Sequence, residues 1–185
     1  MHSLFKIINK YGSKKNIIFG IFIIIVFNVI LFPKFAELFL GVKIDIKSIL
    51  DVKFSYTTTM AYTLFNHLGK DGRNAYKLSE LLIDIPYAII YGFVYTFILN
   101  SFKKLKNYKA LILVPLLISF FDLLENSGII FMLTKYPIKL AIICNLTSIF
   151  TSLKWIFAIV TFVLISTNLV WLIIAKISSK KHIIN

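Results

Sequence analysis

The chain has 185 residues, 58% of them hydrophobic, with a mean hydropathy of +0.84 and a net charge of +13. A soluble domain of this length cannot hide so much apolar surface, so the composition excludes a soluble globular protein and points to an all-α integral membrane protein. The charge is not a nucleic-acid signal, because the lysines cluster at the ends of apolar runs, as topology signals and lipid-headgroup contacts do.

Four runs have membrane-span length, at about 17–32, 81–102, 110–134 and 148–175, within a single membrane domain covering 1–185. Each is predicted to be helical, since the period-two alternation of a barrel is absent. Lys6, Lys10, Lys14 and Lys15 precede the first run, but no small-x-small cleavage site follows it, so it reads as a retained span ending at Pro33 rather than a signal peptide. Between spans one and two lies a more polar segment, 34–80. Its stretch from Val42 to Lys47 alternates and fits a short extended piece. Thr57, Thr58 or Thr59 is placed to cap a helix through about Leu68, with Gly69 as its stop. Asp71 then starts a helix that continues into span two, where Pro86 predicts a kink.

The basic segments set the orientation. The N-terminal lysines, the loop from Lys103 to Lys109 and the tail with Lys176, Lys180 and Lys181 share one side only if both termini are cytoplasmic. The expected architecture is thus a four-helix bundle in the cell membrane, with segment 34–80 forming a small helical cap on the outer side. The heavy use of Ile, Lys, Asn and Phe suggests an AT-rich, bacterial genome.

Charges written inside apolar runs carry the functional signal. Asp84 lies in span two, Asp122, Glu125 and Asn126 in span three, and Lys154 in span four. A charge at bilayer depth costs roughly 2.5–3.5 kcal/mol on insertion scales, so it faces a bundle interior. Helical spacing gathers Asp84, Tyr87, Ala88, Tyr91 and Tyr95 into one stripe. It does the same for Pro115, Ser119, Asp122, Glu125, Asn126 and Ile129, and for Thr147, Thr151, Lys154, Ala158, Thr161, Ile165 and Asn168. The three polar faces are expected to meet. Asp122 then lies near the midplane, Lys154 in the outer half and Asp84 near the outer mouth. Tyr91 is deep enough to join the site, while Tyr87 reads as an interface anchor. Three acids against one lysine cannot all ionise cheaply at low dielectric, so either one holds a proton or a cation or cationic ligand makes up the deficit.

Several chemistries are excluded. The lone Cys144 permits no intrachain disulfide or cysteine-based zinc site, and His2, His67 and His182 all lie outside the apolar runs. No Ser-His-Asp set, His-Glu-x-x-His motif or phosphate loop occurs. His67 and Arg73 read as solvated or headgroup-facing. No metal and no cofactor is called for. The expected partners are membrane lipids and a small or lipidic ligand, with a homo-oligomer as a further option and no nucleic acid. Three readings compete: a proton-coupled ligand site built from Asp122, Glu125, Asn126 and Lys154 with Tyr91 and Asp84 at its mouth, a lipid-modifying enzyme using paired carboxylates, and a non-catalytic assembly protein whose charges lock helices together.

Leu50 and Asp51, then Tyr56, are followed by Leu-Gly-x-x-Gly-Arg-x-x-Tyr (Leu68, Gly69, Gly72, Arg73, Tyr76), by Asp-x-Pro-x-x-x-x-Tyr (Asp84, Pro86, Tyr91) and by Asp-x-x-Glu-Asn (Asp122, Glu125, Asn126). In these motifs the chain after residue 50 resembles a family of four-span bacterial membrane proteins with no established activity. The resemblance implies that these polar positions act together, and supplies no substrate or reaction.

Overall fold

Local signals set the helix ends. Thr57 caps the helix after the first loop, its hydroxyl accepting from the Met60 amide, and Gly69 ends the turn that follows it at φ 64°, where a side chain would be strained. The computed structural model describes residues 2–42, 45 and 48–184, with side chains at 3–37, 40–42, 45 and 48–178. The described residues are mostly helical, with no strand among them. The predicted extended piece from Val42 to Lys47 lies largely outside the described residues, as do the side chains of Lys180 and Lys181.

In chain order the helices are α1 (His2–Tyr11), α2 (Lys14–Val26), α3 (Phe32–Leu40), α4 (Thr58–His67), α5 (Gly69–Ser79), α6 (Ile85–Ser101), the single turn α7 (Lys109–Ile112), α8 (Val114–Lys135) and α9 (Ala141–Ile184). Four stretches are long and apolar enough to cross a membrane: Lys14–Glu37, Gly69–Ser101, Val114–Lys135 and Ala141–Ser178. These fit a multi-pass membrane protein. They are called spans one to four below.

Spans one and two each run through a proline instead of ending at it. Pro33 and Pro86 follow π-helical turns at Phe27–Leu31 and Glu80–Asp84, in which Phe32 and Ile85 donate back five residues, to Phe27 and Glu80. The wider turn absorbs the carbonyl that a proline cannot bond and the ring would strike. Span one therefore extends past the end expected at Pro33, to Glu37, and its helix continues to Leu40. Span two takes in α5, whose helix runs on into α6 as the sequence predicts. Span four begins earlier than expected, at Ala141. The sequence reading has no counterpart for α1, which buries Ile8 and joins span two through a 3.1 Å bond from Asn100 to Asn9.

The spans pack in chain order, one on two, two on three and three on four. Two glycines permit the closest approaches. A Cβ on Gly92 would lie 1.8 Å from Ser119 Oγ, and one on Gly128 would lie 2.1 Å from Thr147 Oγ1 and 2.8 Å from its methyl. Close backbone contact of this kind is what holds helices together where lipid is as apolar as the side chains.

The first loop folds over one end of the bundle. Its backbone is tied to span four by Tyr56 N–H to Ser148 Oγ (2.8 Å) and by Ser152 Oγ–H to the Phe54 carbonyl (2.8 Å). Beneath it Leu50, Tyr56, Tyr62, Phe65 and Tyr76 pack against Ile129, Met132 and Cys144. Arg73 departs from the solvated expectation. It is half-buried, donating to the Phe65 carbonyl at 2.8 Å and lying 3.9 Å over the Tyr136 ring, while His67 is exposed.

Candidate functional site

The polar stripes close on one another as their spacing requires. Every member of the span-three stripe is buried, and so are Thr147, Thr151, Lys154, Thr161 and Asn168 on span four. Lys154 is the hub. Its ammonium lies 3.1 Å from Asp122 Oδ1, 2.5 Å from Glu125 Oε2 and 3.4 Å from the Asp51 carbonyl. Thr151 donates to the other Glu125 oxygen at 2.7 Å, and Tyr91 donates to the other Asp122 oxygen at 2.7 Å. Spans two, three and four thus share one hydrogen-bonded centre. Charge-assisted bonds of this kind are strong only because the groups are already desolvated.

Two acids absent from the expected site join it. Glu80 is buried one turn before Asp84, and Asp51 arrives from the first loop. One carboxylate oxygen from each of Asp51, Glu80 and Asp84 lies within 4.8 Å of the others. Asp51 is held by Tyr76, whose hydroxyl donates to Asp51 Oδ2 at 2.6 Å and accepts from the Leu50 amide at 3.1 Å. Burial raises the Asp51 carboxyl above the ordinary carboxylate range, against the opposing pull of Lys154 and of the Tyr76 hydroxyl. The count is therefore five carboxyls (Asp51, Glu80, Asp84, Asp122, Glu125) around the one ammonium that reaches them among the described residues. A sequence signal for Glu80 exists, since it stands four residues before Asp84 on the same stripe. Asp51 has none beyond its place in the Leu-Asp motif.

A cavity of about 770 Å³ opens from this cluster. Asp51, Glu80, Asp84, Asp122 and Lys154 line its polar end. From there it runs along span two past Tyr87, Tyr91 and Tyr95 to Ile98, and along span four past Ala158 to Ile165. Asp84 to Ile98 spans about 21 Å at the helical rise. Glu125 and Asn126, both 0% exposed, stand behind Asp122 and Lys154 and do not line it. Tyr87, expected as an interface anchor, does line it. It accepts from Asn28 Nδ2 at 2.7 Å and stacks on Phe27. Ile21 of span one and Phe162 of span four are 39% and 71% exposed and line the same cavity. The wall between spans one and four is therefore open to the side.

The arrangement can hold a molecule with one polar and one apolar end, and can compensate positive charge at the polar end. Comparisons with protein-family models, with curated proteins and with solved structures each found no match.

Proposed function

We propose that this is a multi-pass membrane protein that binds an amphipathic small molecule or lipid. The ligand enters from the bilayer between spans one and four. Its polar end meets Asp84, Asp122 and Lys154, and its apolar part lies along Tyr91, Tyr95, Ala158 and Ile165. The observation that carries this reading is the shape of the cavity, charged at one end, lined mainly by aromatic and aliphatic side chains along the rest of its length and open on a side that lipid would cover. Its volume is in the range of small-molecule sites.

Binding is coupled to a proton or another cation, since a surplus of carboxyls at low dielectric cannot all stay ionised without one. Asp122 is the member of the Asp122–Glu125 pair that faces the ligand. Glu125 has both oxygens engaged, by Thr151 and Lys154, and anchors the lysine. This division of roles disfavours catalysis by that pair as general acid and base. Both termini and the Lys103–Lys109 loop lie on the cytoplasmic side by the positive-inside rule, and segment 34–80 forms the outer cap.

Mass spectrometry of molecules that copurify with wild type and with Asp122→Asn tests the reading. A lipid or other amphiphile enriched on wild type and lost from the folded variant is the expected result. Equal enrichment on both, or none on either, would overturn it.

A further inference from the structure

We propose that Asp51, Glu80 and Asp84 form a binding site for a hard divalent cation of the magnesium, manganese or calcium class, at the polar end of the cavity.

The first support is geometric. Three carboxylate oxygens from three separate places in the chain, within 4.8 Å of one another, can all reach one ion, because metal–oxygen bonds of about 2.0–2.6 Å allow ligand pairs up to about twice that distance apart. The second support is independent of their proximity. Asp51 Oδ1, Glu80 Oε2 and Asp84 Oδ2 are each buried with no hydrogen-bond donor, one orphaned oxygen from every member of the trio. Glu80 and Asp84 are only 3% and 8% exposed. Buried polar groups in folded proteins are normally satisfied, and an orphaned oxygen on each of three clustered carboxyls calls for a partner.

The donor set defines the ion. All the groups are oxygens and neither sulfur nor imidazole is among them, which suits hard cations over zinc or copper. Tyr76 supplies the outer support that such sites use. By donating to Asp51 Oδ2 it fixes the carboxylate and leaves Oδ1 without a hydrogen bond. The π-helical turn Glu80–Asp84 carries two of the three ligands, and the cavity gives the ion a route in and room for water or a ligand oxygen. Among the described residues Lys154 makes its ion pairs with Asp122 and Glu125 and none with this trio, and one ammonium cannot balance all five carboxyls. The inference stands apart from the amphiphile, which the copurification experiment addresses separately.

The test is Mn²⁺ binding to the full-length protein in detergent after chelator treatment, read as loss of the free-ion signal in electron paramagnetic resonance. Wild type is expected to bind one equivalent, released by excess Mg²⁺ or Ca²⁺. Glu80→Gln, Asp84→Asn and Asp51→Asn should each weaken binding at least tenfold. The exposed Asp71→Asn should leave it unchanged. Asp51 sits half-buried on a turn outside the helices, so Asp51→Asn is the variant that folds if the helix variants do not. No Mn²⁺ bound by wild type at millimolar concentration overturns the proposal, and so does wild-type affinity in a folded Asp51→Asn.

Discussion

Lys154 reaches Asp122 across the span-three to span-four interface at 3.1 Å, and it does so as the only ammonium near five carboxyls among the described residues. Its place decides which acids are structural and which face the cavity. Glu125 lies on the far side of the lysine, enclosed by protein, whereas Asp122 shares the lysine and still lines the open space.

Removing that ammonium leaves Asp122 and Glu125 as uncompensated buried carboxyls. Lys154→Met is expected to cost about 3–5 kcal/mol of stability, and adding Glu125→Gln should recover part of the loss. Thermal unfolding of the purified protein in detergent reads both. A double variant no more stable than Lys154→Met would show that the pair does not act as a unit.

The Gly128 crossing should tolerate less than the Gly92 crossing. At Gly92 the nearest atom is the Ser119 hydroxyl, which can rotate away at the loss of its 2.6 Å bond to the Ala88 carbonyl, whereas at Gly128 the new Cβ would meet both branches of Thr147. Gly128→Ala is expected to destabilise by about 1–3 kcal/mol, and Gly92→Ala by less. Comparison of the two unfolding midpoints checks the order.

Filling the apolar arm separates binding from folding. Ala158 lines the cavity from span four, one helical turn beyond Lys154. Ala158→Phe should abolish enrichment of the copurifying amphiphile while leaving the unfolding temperature unchanged or higher. Retention of the ligand would place its apolar part elsewhere.

Tyr76 is the fastening of the cap. Tyr76→Phe removes the bond to Asp51 and the acceptor for the Leu50 amide, each contributing about 0.5–1.5 kcal/mol, more where the carboxylate is charged. Hydrogen exchange at residues 48–57 should accelerate, with little change in span three. An unaltered exchange pattern would mean that Ser148 and Ser152 hold the loop by themselves.

Topology is testable through the lone cysteine. In a Cys144→Ser background, an impermeant maleimide applied to intact cells should label Lys70→Cys, in the first turn of span two, and not Lys104→Cys, in the loop after span two. The reverse pattern would invert the orientation.

The sequence by itself determined the helices and their polar faces. Spacings of three and four residues selected the stripes through Asp84, Asp122 and Lys154. The hydroxyl at Thr57 and the missing side chain at Gly69 marked ends that the structure reproduces. These are local properties, fixed by the geometry of a helical turn and legible wherever the residues are read in order. Convergence is not local. Asp51 reaches Asp84 only because the first loop docks onto Tyr76 and span four, and Glu80, at the end of the polar segment, joins them only in the fold. The cavity too is a tertiary outcome. Span one packs on span two and span four on span three, and the opening left between the two outer spans depends on how the helices cross, which no periodicity along the chain encodes.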